Sequence, residues 1–424
     1  MDKRIIRLGD GEGFIVSLPI GTGEGISQEA HKEVARALLS LFTGTLTSKQ
    51  RYCFSAGSFL EFNPEAYIPL SKAMEINEML ANISSRPPFF RSSRKELEDR
   101  LASSMSKMLA KETTLDLKKF NIHPVRGSTR DAIEPLFNHF KKSRKSIALP
   151  IPNWYFWDNE HGVRGNHSFK YFEALNEDQL VSGFKKLAKK GEVGSVVISN
   201  PMTPLGYEIS RGAAKEIDCL ALQNGVKVLV DDVLRGTREL DNRDTLASVF
   251  TNPYFAEGFG HRIALDNNIG SLSYVGIPKN DRKVKMPEFE HPQYIPAFVP
   301  LFELVMEHAS GPALEELRKR NSEFDAGFRE TAPDSIKLKR LYPTSITSLI
   351  TLPDNIVSDG VDIEYSAKKK YGAGIAPINM FYPDNHSIPK NMHRNLRSSV
   401  GGTPLNRIRE GARLMGMGLT EFMK

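Results

Sequence analysis

The sequence predicts an α/β protein: a large domain with a mainly parallel sheet flanked by helices, followed by a smaller C-terminal α+β domain. Three observations carry this. Residues 194–232 read as strand, helix, strand; a second strand-then-helix signal lies upstream at 121–137; and beyond about residue 285 the texture changes. With 424 residues, 40% hydrophobic and 25% charged, the chain can bury a core of that size, which excludes disordered, collagen-like and disulfide-stapled architectures. The expected division is an N-terminal arm and helix over 1–50, the large domain over 51–290 and the small domain over 291–424.

In chain order, the N-terminus Met1-Asp2-Lys3-Arg4-Ile5-Ile6-Arg7 is basic but runs into Gly9-Asp10-Gly11-Glu12-Gly13 without the apolar stretch of a signal peptide, so a cytoplasmic location is expected. After the turn-rich Leu18 to Gly23, Ser27 can cap a helix carrying Val34, Leu38, Leu41 and Phe42 on one face. Residues 94–110 read as a further helix, since Leu97, Leu101, Met105 and Met108 recur at helical spacing, which is core packing.

Asn121-Ile122-His123-Pro124-Val125 then leads to Gly127-Ser128-Thr129 and a helix through Ile133, Leu136 and Phe137. A small turn opening a helix can hold a phosphate on free N–H groups and hydroxyls, although the same residues are also ordinary helix-capping chemistry.

Ser195 to Ser199 is a short apolar strand. The turn Asn200-Pro201-Met202-Thr203-Pro204-Leu205-Gly206 follows, and Ser210 caps a helix closed by Asn224-Gly225. Val226 to Val230 is a second buried strand, ending in Asp231-Asp232. The two strands should be parallel, and ligands collect at the carboxyl ends of such strands. Farther on come the Pro-rich 286–300, a long helix near 301–332, strand-like runs around 345–352 and 374–378, and a last helix near 404–416.

Lys+Arg at 57 against Asp+Glu at 51 gives +6, a modest excess spread along the chain that argues only weakly for nucleic acid or an anionic membrane and by itself names no partner; neither is expected. Apolar patches such as 295–306 are too short to span a bilayer. Cys53 and Cys219 form no C-x-x-C pair, so neither a disulfide framework nor a zinc or other metal site is expected.

The order and spacing of five motifs resemble the fold-type I, pyridoxal-phosphate-dependent aminotransferases of class I/II. The motifs are the Gly127-Ser128-Thr129 turn, the aromatic-rich Pro152-Asn153-Trp154-Tyr155-Phe156-Trp157, the Asn200-Pro201 to Gly206 turn, the strand ending in Asp231-Asp232, and Leu396-Arg397-Ser398-Ser399. The resemblance spans roughly 15–415. It implies a PLP-dependent transferase-like fold, a homodimer, and a place in amino-acid metabolism. Carried onto this sequence, it puts a cofactor phosphate at Gly127, Ser128 and Thr129, a stacking aromatic at Trp154, and a carboxylate for the pyridine nitrogen at Asp231. Arg397 would grip the α-carboxylate of an amino or keto acid, with the backbone near Ile20-Gly21 beside it.

The departures from that family are specific. Its lysine, which binds the cofactor covalently and shuttles a proton, has no counterpart: there is no lysine between Lys227 and Lys279, and the matching segment reads Gly258-Phe259-Gly260-His261-Arg262. Thr203 stands where the family has an asparagine and Leu234 where it has a tyrosine, both of which contact the cofactor's phenolic oxygen. Three readings follow. Pyridoxal or pyridoxamine 5'-phosphate could bind non-covalently, with His261 as the substitute base and Arg262 as a phosphate contact. The chain could be a catalytically inactive pseudoenzyme serving as a binding or scaffold subunit. Or the residues could have been reused for a cofactor-independent reaction.

Overall fold

The computed structural model describes residues 3–7, 15–19, 52–53, 94–154, 167–262, 272–287, 299, 302–303, 306–308, 310–356, 372–383 and 386–423. The helix expected after Ser27, the Ile20-Gly21 backbone and the Tyr155 to Trp157 aromatics lie outside these residues.

Near the N-terminus, β1 (Lys3–Arg7) and β2 (Ile15–Pro19) form an antiparallel hairpin, and the short β3 (Tyr52–Cys53) comes next. Helix α1 (Arg94–Glu112) follows; Leu101 and Met105 of the stripe seen in the sequence are buried in the core together with Leu109, and Met108 packs against it half-buried.

The large sheet is assembled from β4 (Phe120–Arg126), β5 (Ser146–Ile151), β6 (Phe169–Glu173), β7 (Val193–Ser199), β8 (Lys227–Asp231), β9 (Tyr254–Gly258) and β10 (Leu272–Pro278), in the spatial order β4-β10-β9-β8-β7-β5-β6. Strands β6, β5, β7, β8 and β9 pair in parallel, while β10 runs antiparallel to both β9 and β4. Strands that run parallel in one sheet require crossovers, and helices supply them: α2 (Thr129–Lys141) links β4 to β5, α3 (Glu177–Lys189) links β6 to β7, and α4 (Arg211–Asn224) links the neighbours β7 and β8.

The central strands β7 and β8 carry apolar residues on both faces because both are covered. Val196, Ile198, Val228 and Val230 point to the side of α1, α3 and α4, whereas Val197, Leu229, Ala256 and Val275 point to the side of α2, where Ile133, Leu136, Phe137 and Phe140 pack on them. The period of two along each strand thus fills two core layers. At about 25 cal/mol per Å², each fully buried Leu, Ile, Val or Phe contributes roughly 1.5–3 kcal/mol.

The C-terminal part is α+β, as expected. A short helical turn, α5 (Phe259–Arg262), leaves β9. Helix α6 (Ser310–Arg329) comes later, within the long helix expected near 301–332. Strands β11 (Lys337–Lys339) and β12 (Thr347–Thr351) follow, then the two-residue β13 (Ala373–Gly374) and β14 (Ala376–Pro377), β15 (Asn395–Ser399) and α7 (Leu405–Phe422). An antiparallel sheet runs β11-β12-β15-β14, and β13 pairs in parallel with β3. Helices α6 and α7 press together so tightly that a Cβ at Gly327 would lie 2.1 Å from the Arg409 carbonyl oxygen, which only glycine permits.

Candidate functional site

The carboxyl ends of β7, β8 and β9 lie side by side, and the residues singled out in the sequence collect there. Asp231 ends β8, opposite Ser199 in the parallel register. Its carboxylate accepts a hydrogen bond from the Ser199 hydroxyl at 3.1 Å and from the Val233 N–H at 3.1 Å. Burial pushes its pKa up to about 6, against those two stabilising donors. A buried carboxylate with so few donors is a suitable counter-ion for a protonated heterocyclic nitrogen.

On the neighbouring strand, β9 ends at Gly258 and turns into α5, which carries His261. Burial, reinforced by the positive charge of Arg397, holds the His261 imidazole down at about 4, so the ring is neutral at physiological pH and has a lone pair to accept a proton. The Arg397 charge thus acts on His261 although the two residues stand on different elements, β15 and α5. Arg397 sits mid-strand in β15 and is buried rather than exposed, with its guanidinium 5.2 Å from the centroid of the Phe381 ring. The Phe381 carbonyl accepts from the Asn153 N–H at 2.9 Å, which ties this part of the small domain to the segment bearing Trp154. Trp154 is half-buried against the α2-side core, so its ring is partly a packing residue.

Gly127, Ser128 and Thr129 open α2 at this same edge. A Cβ on Gly258 would lie 2.5 Å from the Thr129 hydroxyl, so the turn is seated directly on the end of β9. Its donors are partly in use. The Ser128 N–H and hydroxyl both donate to one oxygen of Asp131, each at 2.7 Å, in a capping box. Gly127 has φ +123°, and a Cβ there would lie 2.5 Å from that same carboxylate oxygen.

Thr203 lies half-buried in the turn after β7, and Leu234 packs against the apolar core instead of offering a polar atom. Arg262 is placed elsewhere than the sequence suggested. Its fully buried guanidinium bonds the Glu112 carboxylate at 2.6 and 2.8 Å and that of Glu257 at 2.8 and 3.1 Å. The fully buried Arg235 joins Glu257, Glu112 and the Tyr274 hydroxyl, and Arg243 reaches Glu112 at 3.4 Å. Burial disfavours an ionised Glu112, but the charges of Arg262, Arg235 and Arg243 outweigh it and hold the carboxyl down at about 2. This arginine-glutamate cluster lies beneath α5 and went unrecognised in the sequence, where its members are scattered from 112 to 274.

Tested against a pyridoxal-type cofactor, the residues present fit at the ring and not at the phosphate. Asp231 suits the ring nitrogen. The cup at Gly127 to Thr129 already holds a carboxylate, and Arg262 is bound to two others. Among the described residues no group of three or more His, Cys, Asp or Glu could hold a metal ion, and no helix is long and apolar enough to cross a membrane.

No protein-family model and no curated protein sequence matches this chain. Solved structures do. The chain superposes on kynurenine aminotransferase from Pyrococcus horikoshii with a TM-score of 0.68 at 17% identity, covering 95% of this chain and 96% of that one. It superposes on the multiple substrate aminotransferase from Thermococcus profundus with a TM-score of 0.67 at 16% identity, covering 94% and 96%. For N-succinyldiaminopimelate aminotransferase from Mycobacterium tuberculosis the TM-score is 0.64 at 14% identity, covering 90% and 99%. The mixed seven-stranded sheet, its flanking helices and the small second sheet are therefore the fold of the fold-type I, pyridoxal-phosphate-dependent aminotransferases, present across nearly the whole chain.

Proposed function

We propose that this is an aminotransferase-like protein that binds an amino acid or keto acid at Arg397, next to a pyridine ligand of the vitamin B6 type held non-covalently on Asp231. The observation that carries the reading is the convergence of three groups at one sheet edge: a buried carboxylate at the end of β8, a neutral imidazole at the end of β9 and a buried guanidinium from β15. The guanidinium fork matches a carboxylate in two parallel hydrogen bonds, and its burial strengthens them. His261 lies within electrostatic reach of that carboxylate site and is the group available to hold a proton lost from the adjacent carbon. A pyridine ring, when bound, supplies an electron sink that no side chain offers. With no lysine in the segment from 228 to 278, covalent attachment of the ring there is ruled out, and transamination by the ordinary lysine route is absent or greatly slowed. The reading includes a homodimer, which sedimentation would check.

A second reading is favoured by Thr203, Leu234 and the occupied cup together: a catalytically inactive pseudoenzyme that keeps the carboxylate site as a binding or scaffold subunit.

Titration of the purified chain with pyridoxal phosphate and pyridoxamine phosphate, followed by absorbance and then by borohydride trapping with mass spectrometry, tests the proposal. Reversible spectral change without an adduct is the expected result. An adduct at one lysine would overturn the non-covalent mode. No binding of any B6 form alongside retained amino-acid binding would establish the pseudoenzyme.

A further inference from the structure

Among the described residues, Asp131 is the acidic side chain at the cup, and its position is unusual in what it displaces. A phosphate held at a helix N-terminus needs the free N–H groups of the turn, any adjacent hydroxyls and open space above the turn. Here one oxygen of Asp131 takes both the Ser128 N–H and the Ser128 hydroxyl, each at 2.7 Å. The Asp131 side chain also fills the space above Gly127, where its Oδ2, Cβ and Cγ lie within 2.5 to 2.8 Å of the position a Cβ would take. Two of the donors and the volume are therefore used by an internal anion. Among the described residues, Arg262 does not offset this, because it is committed to Glu112 and Glu257.

We infer that Asp131 acts as a built-in substitute for the cofactor phosphate, so that the site accepts a pyridine without a phosphate ester at least as well as one that carries it. This deepens, and rests on, the proposal that a pyridine binds at Asp231. A phosphate dianion entering the cup must either displace Asp131 from Ser128 or sit beside it as a like charge in a partly buried place, and both are unfavourable. An unphosphorylated hydroxymethyl group meets neither obstacle. Asp131 is then a specificity-determining residue that selects by charge.

The test is calorimetric titration of the full-length chain with pyridoxamine, pyridoxamine phosphate and inorganic phosphate as separate probes, on the wild type and on Asp131→Asn and Asp131→Ala. Asn keeps an acceptor for Ser128 without the charge, and Ala also empties the space over Gly127; thermal melts confirm that each variant is folded. In the wild type the two pyridines should bind within about threefold of each other, and either substitution should raise affinity for the phosphate ester alone by about tenfold or more, the equivalent of one helix-terminus anion interaction. A wild-type preference for the ester above about tenfold, or an unchanged ester-to-alcohol ratio in both variants, would overturn the inference. Binding of neither pyridine by any protein would instead defeat the function proposed above. Inorganic phosphate then decides the cup: binding gained on substitution supports its occupation by Asp131, and no gain sinks it.

Discussion

Glu257 in β9 and Arg262, the last residue of the turn that carries His261, meet at 2.8 Å with both side chains fully buried. Glu257 is also bonded by Arg235 and by the Tyr274 hydroxyl at 2.5 Å, so one carboxylate ties together β9, β10 and the segment after β8. A buried pair of this kind is a weak source of net stability but is expensive to break from one side, since the survivor is left as an uncompensated charge.

Glu257→Gln is therefore expected to destabilise the protein by about 3–5 kcal/mol in urea unfolding, more than a surface carboxylate of the same type. The double variant Glu257→Gln, Arg262→Met should recover part of that loss. A single-variant effect below about 1 kcal/mol would show that the cluster is not a structural lock.

The proton linkage of the site has two opposed arms. His261 has its folded-state pKa depressed to about 4 from the ordinary 6.5, so it contributes stability present above pH 6.5 and lost as the pH falls toward 4. Asp231 has its pKa raised to about 6 from 3.8, so its contribution is fully present below pH 3.8 and lost as the pH rises through 6. Each arm is worth at most about 3–3.5 kcal/mol. Chemical unfolding between pH 4 and 7 should accordingly show the acid-side loss shrink in His261→Gln and grow in Asp231→Asn.

Arg397→Ala should weaken the binding of amino acids and keto acids by about 10- to 100-fold, the effect of losing a charged bidentate hydrogen bond. Arg397→Lys should recover little, because an ammonium does not match the carboxylate fork. Thermal-shift titration with a panel of amino acids would measure both. If neither variant weakens the binding of an amino acid that stabilises the wild type, the carboxylate site is not at Arg397.

At the opposite, amino-terminal edge of the sheet, Lys227 bonds Asp281 at 2.5 Å and His139 at 2.7 Å, and the Tyr254 hydroxyl donates to the same aspartate. Burial opposes the charge on Asp281, but hydrogen bonds from Lys227 and Tyr254 and the Lys227 charge outweigh it and hold the carboxyl well below the usual range. That depressed pKa contributes stability present above pH 3.8 and lost in stronger acid. Asp281→Asn should flatten the acid-unfolding limb below about pH 4 while leaving ligand affinity unchanged. A change in ligand affinity would mean that the two edges of the sheet are coupled.

Much of this was legible in the sequence, and the limits have physical causes. The β7-α4-β8 unit was readable because its strands are apolar runs and its helix has a cap at each end. Strand β9 was not, since Tyr254-Phe255-Ala256-Glu257-Gly258 places a glutamate in what is a wholly buried strand. That residue makes sense only with Arg235 and Arg262 in three dimensions. Asp231, His261 and Arg397 were singled out by their places in the order of motifs, and the structure puts Asp231 and His261 at the ends of adjacent strands. The capping box at Ser128 was foreshadowed by the alternative reading of its turn, but the role of Asp131 was missed because a helix-capping acid and an occupant of an anion site look the same in sequence. Arg262 was misplaced for a related reason: adjacency to His261 along the chain says nothing about which way the guanidinium points.

The antiparallel strand β10 has a wider consequence. Ser273 pairs with Gly258, so β9 ends and β10 begins at the same edge of the sheet, the edge at which Asp231 ends β8. Side chains at that edge, His261 among them, can therefore be exchanged while the scaffold beneath stays intact, provided that Glu257 and Arg262 keep their anchorage. The same architecture makes this edge a natural place for laboratory evolution, beginning with His261→Lys, to ask whether a single side chain can supply a covalent anchor for a pyridine aldehyde.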